Sequence, residues 1–239
     1  MTALSARLST RLNRLGRLSL LFYGVVWVGL LNASEKDQLV TEWLSAAKTL
    51  RTWEADVLQT RHLKAFTQPL VSTGKVWFAA PNQFRWQLGE PAQSLALRNG
   101  PELWVLSPKL RRAEHYQLDS LGNGPAKDLM GLLDMGFPKD EVSFRKQFRI
   151  IDASTNANSW SFRMEPESSS VKSMLPELKV EIAAGTKQLI ATELILKDGS
   201  RLRNEFKELS RNSKISTDLF TTNLDATWKI TTSGPPLKK

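Results

Sequence analysis

Gly74–Leu88, GKVWFAAPNQFRWQL, decides how the rest of the chain is read. Lys75 to Ala79 and Phe84 to Leu88 read as two strands broken by the turn signal Ala80-Pro81-Asn82. Side chains alternate across a strand, so Phe84, Trp86 and Leu88 share one face and Arg85 and Gln87 the other. Four large rings within ten residues of a surface turn exceed what a small closed core needs. A sheet with a greasy concave side would use them.

Outward from this stretch the period stays near two. Upstream, Trp53 to Val57 alternates and runs on to Leu63, and Val71-Ser72 follows Pro69. Downstream, Gln93–Leu97, Glu102–Leu106 and Leu110–Leu118 are separated by Arg98-Asn99-Gly100-Pro101 and Ser107-Pro108. Lys146–Ile151, Trp160–Met164, Leu178–Ile182, Leu189–Lys197, Arg201–Leu209 and Ala226–Ile230 continue the pattern, with an Asp198-Gly199 hairpin turn. Ser168–Ser173 reads as a polar loop and Asp218–Phe220 as a helical turn. Two segments have helical spacing. Ser34–Leu50 presents Leu39, Val40, Trp43, Leu44 and Ala47 on one face. Pro125–Met135, rich in leucine and with proline in its first turn, is the second, and Lys139–Phe144 adds a further turn. The expected fold is mainly β (α+β): a half-open antiparallel barrel of about eleven strands, with an N-terminal helix and a central helical lid.

The first 33 residues read differently. Arg7, Arg11, Arg14 and Arg17 precede a 14-residue apolar run, Leu18–Leu31, and then Asn32-Ala33. This is the layout of a secretory signal peptide, with an uncleaved anchor as the alternative. Residues 34–239 then form a single domain. Losing four arginines and no acids takes the formal charge from +9 to +5. The remaining cations are scattered, which argues against a nucleic-acid partner. The chain has no cysteine, so disulfides, thiol catalysis and N-terminal lipidation are excluded.

No catalytic or cofactor motif emerges: there is no G-x-S-x-G, phosphate loop or dinucleotide fingerprint. His62 and His115 lack metal spacing and are expected at or near the surface of strands. Glu54 and Asp56 fit a solvated strand face. A non-enzymatic binding protein without metal or cofactor is the reading. Trp77, Phe84, Trp86, Leu88, Leu95, Leu97, Trp104, Trp160 and Phe162 are the candidate lining of an apolar cavity, against the alternative of an ordinary core. Leu129, Met130, Leu132 and Leu133 are the candidate lid.

The run Leu58-Gln59-Thr60, Gly74-Lys75-Val76-Trp77, Pro81-Asn82-Gln83-Phe84-Arg85-Trp86 and Leu103-Trp104-Val105 resembles the LolA family of periplasmic lipoprotein carriers. The resemblance implies a monomeric carrier of lipoprotein acyl chains in the periplasm. It implies an inner-membrane ABC exporter that loads the carrier and an outer-membrane acceptor. Phe84 and Trp86 match the family's cavity pair. One position departs: Ala80 stands where the family has an arginine that latches the lid. The resemblance thus leaves two other readings: a binding protein for a free lipid or glycolipid, or a membrane-tethered envelope factor.

Overall fold

In a computed structural model, residues 29–30, 33–120 and 140–233 are described. The meander forms because each strand ends at a turn-forming group. β2 (Thr52–His62), β3 (Leu70–Ala79), β4 (Gln83–Leu88), β5 (Ser94–Asn99), β6 (Glu102–Ser107) and β7 (Arg112–Gln117) pair in sequence order. The 53–63 and 71–79 stretches are thus one long strand each. After residue 140, α2 (Glu141–Gln147) leads into β8 (Phe148–Thr155) and β9 (Ser159–Pro166). A short helix α3 (Ser169–Lys172) precedes β10 (Glu177–Ala183), β11 (Leu189–Ile195) and β12 (Arg201–Arg211). β13 (Lys229–Ser233) ends the described chain, and β1 (Gly29–Leu30) stands before α1 (Ala33–Ala47).

All thirteen strands belong to one sheet, in the order β1-β8-β9-β10-β11-β12-β2-β3-β4-β5-β6-β7-β13. The edge strands do not pair with one another, so the barrel is open. The join between halves is β12 on β2, with His62 opposite Arg201 and Trp53 opposite Arg211.

The half-open, mainly β sheet itself is as expected, its thirteen described strands, one of only two residues, standing close to the eleven or so read from the sequence. Several other expectations need correction. The last strand begins at Lys229, not Ala226, and lies parallel to β7, so the sheet is not wholly antiparallel. Lys146 and Gln147 end α2 instead of opening β8: Asp140 Oδ1 caps the start of that helix, accepting from the Ser143 amide at 2.8 Å, and at its end the Phe148 amide donates to the Phe144 carbonyl. Ser168–Ser173 is not all loop. Val171 is buried and draws α3 onto the sheet. The expected lid, Pro125–Met135 with Leu129, Met130, Leu132 and Leu133, lies outside the described residues.

The main core lies between α1 and the concave face of β8–β11. Val40, Trp43 and Leu44 are buried there, as their helical spacing requires. The Trp43 ring stacks on Phe162 at 5.4 Å and meets Phe144 of α2 edge-on at 5.3 Å. Each such side chain contributes about 1.5–3 kcal/mol by leaving water. Ion pairs set the helix position: Lys36 to Asp152 at 3.2 Å and Asp37 to Arg145 at 3.0 Å. On the convex side the same half carries charge: Arg163–Glu177, Lys179–Glu193 and Arg203–Glu181 run across β9 to β12.

Candidate functional site

The β3–β4 hairpin sets the site. Gly74 faces Leu88, Val76 faces Trp86 and Phe78 faces Phe84 on one side of the sheet. Lys75 with Gln87, and Trp77 with Arg85, occupy the other. The strands approach closely at Gly74, where a Cβ would lie 1.9 Å from the Gln87 carbonyl oxygen. Only glycine fits that contact. The turn is held from both sides. The Ala80 amide donates to the Arg51 carbonyl at 2.7 Å, and the Gly100 amide donates to the Asn82 carbonyl at 3.1 Å.

Across β2 and β12 the concave row continues through Trp53, Val57 and Phe206. Phe206 lies edge-on to both Trp53, at 5.3 Å, and Trp86, at 5.8 Å. The Trp53 indole N–H donates to Glu208 at 2.9 Å, so its ring is held without an orphan donor. Trp53, Ala55, Val57 and Val76 are buried, and Phe78, Trp86 and Leu88 are half-buried against them. This row offers ring and hydrocarbon surface, which binds apolar chains without directional chemistry. Arg98 pairs with Phe84 in register, and its Nε donates to the Gly100 carbonyl at 3.1 Å. Beside the row runs a buried polar chain: Gln59 Nε2 donates to Asn204 Oδ1 at 3.0 Å, and Asn204 Nδ2 to Thr192 Oγ1 at 3.1 Å.

The nine candidate lining residues do not come together. Phe84, Trp86 and Leu88 lie on the concave row. Trp160 and Phe162 share that face of the sheet but lie under α1 in the main core, with the Lys187 ammonium 3.3 Å above the Trp160 ring. Trp77, Leu95, Leu97 and Trp104 are on the convex face. The reason is strand parity: Leu97 pairs with Arg85 and Trp104, and Leu95 with Gln87 and Leu106. Leu95 and Trp104 belong to a separate core, in which Leu95, Leu106 and Ala113 are buried with Trp104, Leu224 and Trp228 packed against them. Phe220, from the turn Thr217–Phe220, is buried as well. The large residues on the convex face of β5 and β6 are therefore met by a C-terminal segment folded over that side.

Arg85 belongs to that side too. Its Nη1 donates to the Leu219 carbonyl at 3.3 Å, its Nη2 to Gln87 Oε1 at 2.9 Å, and its guanidinium lies 5.8 Å from the Trp77 ring centroid. Burial holds its pKa below that of a free guanidinium. It secures the C-terminal segment. His115 is not a surface residue. It is buried, stacked on Trp104 at 4.2 Å and bonded to Glu102. Glu54 and Asp56 do lie on a solvated face, both near Lys75. Among the described residues no cluster of His, Asp and Glu could hold a metal ion. Phe206 was missed, although Leu202, Asn204 and Phe206 alternate in β12 and mark its inward face.

Residues 48–223 match the family described as outer membrane lipoprotein carrier protein LolA. An outer-membrane lipoprotein carrier protein from Nitrosomonas europaea is 26% identical over 207 residues, covering 84% of this chain and 92% of its own. One from Alkalilimnicola ehrlichii is 35% identical over 80 residues, 33% of this chain and 37% of its own. An uncharacterized conserved protein from Thermus thermophilus aligns in structure with a TM-score of 0.48 at 11% identity, covering 83% of this chain and 99% of that one. With the family match spanning most of its length, this chain belongs to the LolA family of outer membrane lipoprotein carrier proteins.

Proposed function

We propose that this protein is a periplasmic carrier, exported by its N-terminal segment, that shuttles lipoproteins from the inner to the outer membrane by burying their acyl chains. The observation that supports this most is the apolar row from Trp53 through Phe206 and Trp86 to Leu88, in which Trp86 and Leu88 stay half-buried. Phe84, Trp86 and Leu88 face the cargo, and residues 125–135 form the lid. An inner-membrane ABC exporter loads the carrier and an outer-membrane acceptor unloads it.

Magnitudes suit a carrier. Each buried CH₂ is worth about 0.8 kcal/mol, so one sixteen-carbon chain is worth on the order of 12 kcal/mol if wholly covered. A chain laid on Phe78, Trp86 and Leu88, the half-buried part of the row, is covered only in part and held less tightly, which permits release. Ala80 has no side-chain donor, and this favours as a second reading a free lipid or glycolipid cargo that needs no firm latch.

Binding of a fluorescent fatty acid tests the site. Trp86→Glu is expected to weaken binding at least tenfold while circular dichroism stays unchanged. Leu88→Gln serves as the second variant should Trp86→Glu not fold. Wild-type affinity in a folded Trp86→Glu protein would remove Trp86 from the cavity.

A further inference from the structure

The end of the sheet where β2 turns into β3 carries apolar side chains that neither core uses. Phe66 is 58% exposed, Val71 58% and Leu70 39%. Leu196, at the β11–β12 turn, and Met174, in the loop before β10, are exposed beside them in the fold. Hydrogen bonds tie these turns together. The Lys64 amide donates to Ser200 Oγ at 3.2 Å, and the Lys197 amide donates to the Met174 carbonyl at 2.9 Å. At the same end of the sheet lies an open depression of about 510 Å³, lined in part by His62, Lys64, Glu193, Asp198, Arg201 and Arg203.

Its charge leans positive, with Lys64, Arg201 and Arg203 against Glu193 and Asp198. The Asp198 carboxylate accepts from the Ser200 amide at 2.8 Å and its hydroxyl at 3.0 Å, which with a lesser pull from Lys64 holds its pKa below the usual carboxylate range. Arg203 is engaged by Glu181 and Glu205, and Glu193 by Lys179. Among the described residues no carboxylate forms an ion pair with Lys64, Lys197 or Arg201. Cations outside any ion pair, beside exposed Phe, Leu and Val, match a surface that is both anionic and apolar. Phe66, Leu196 and Met174 project from separate turns, Leu70 and Val71 from opposite faces at the start of β3, and together they do not line a shaped groove. A fluid bilayer accepts such separate tips, whereas a folded protein needs a complementary socket. Lysine and arginine stems reach headgroups while rings and aliphatic groups enter the interface.

We propose that the β2–β3 turn, with the adjoining β11–β12 turn, docks on an anionic lipid bilayer. The inference does not depend on the cavity, which lies elsewhere on the sheet.

The cysteine-free sequence makes the test clean. Phe66→Cys labelled with an environment-sensitive dye reports on the docking tip. Thr186→Cys, on the exposed β10–β11 turn at the other end of the sheet, reports on the same chain held in any other way. With full-length protein and phosphatidylglycerol-containing vesicles, the dye at residue 66 is expected to shift to the blue and the dye at 186 to stay unchanged. Pure phosphatidylcholine should give little response at either. Lys64→Gln with Arg201→Gln, in the Phe66→Cys background, should weaken the response roughly 25-fold, about fivefold per cation removed. Fatty-acid binding should persist in these variants, which separates failure here from failure of the carrier reading. No shift at 66, an equal shift at both positions, or an equal response to both lipids would overturn the proposal. A shift that grows with protein concentration without vesicles would assign the patch to a second copy and overturn it too.

Discussion

Gly74→Ala probes the contact on which the β3–β4 hairpin depends. A Cβ there would lie 1.9 Å from the Gln87 carbonyl oxygen and 2.9 Å from Leu88 Cα. The first distance is about 1.1 Å inside the 3.0 Å that side chains tolerate, and the neighbour is backbone, not a movable side-chain tip. Two effects oppose each other. Alanine is favoured over glycine within a strand by roughly 0.5–1 kcal/mol. Forcing two strands apart costs about 1–3 kcal/mol, and the β3–β4 pairing at Leu88 weakens with it. The clash wins, for a net loss of about 1–2 kcal/mol. With a urea dependence of about 2 kcal/mol/M, the unfolding midpoint falls by roughly 0.5–1 M. Leu88 shifts with the strand, so fatty-acid affinity should fall as well. Gly185→Ala is the control: nothing lies within 4 Å of its added Cβ, and its midpoint should stay level or rise slightly. A Gly74→Ala midpoint equal to or above wild type would refute the close approach.

Asn204→Ala leaves the Gln59 amide and the Thr192 hydroxyl without their buried partner, for a loss of about 2–4 kcal/mol in urea unfolding. Replacing Gln59 and Asn204 together by leucine should cost less than the sum of the two single changes, and strict additivity would argue against the chain of bonds. Arg85→Ala should free the C-terminal segment, raising hydrogen exchange across Thr217–Phe220 while leaving α1 protected; unchanged exchange there would deny Arg85 its hold on Leu219. Arg163 donates to both Glu177 oxygens, at 3.1 and 2.9 Å, and these bonds hold the Glu177 pKa below 4.5. A depressed folded pKa means the stabilisation is present above pH 4.5 and is lost as pH falls through the lower folded value. Arg163 is nearly half exposed and solvent screens the pair, so Glu177→Gln should flatten the acid limb of the stability curve by no more than about 1 kcal/mol.

The strands were legible where one face is wet. Trp160, Phe162 and Met164, and Leu178, Val180 and Ile182, alternate with polar residues, and all six are buried together. The helical spacing of Val40, Trp43 and Leu44 was equally plain. Reading failed where both faces are dry. Leu95, Leu97 and Trp104 looked like cavity wall because nothing local in the sequence says that Phe220, Leu224 and Trp228 return to cover them. That cover depends on a parallel pairing between β7 and β13, more than a hundred residues apart, which no turn signal announces. Parity within the strands carried the missing information. Trp77 is one residue out of phase with Val76 and Phe78, just as Arg85 is with Phe84 and Trp86.

The pairing of β12 with β2 has a consequence for the order in which this chain can assemble. β2 is made early, yet its second neighbour is not complete until Arg211. Trp43 precedes β2, yet the rings it packs on, Phe144 and Phe162, come a hundred residues later. Neither half of the sheet can finish its core alone, so the two are halves in space but not separable folding units. A chain emerging from the ribosome stays incomplete until nearly its end, and a cut between residues 120 and 140 would leave two fragments that each lack part of the other's interior.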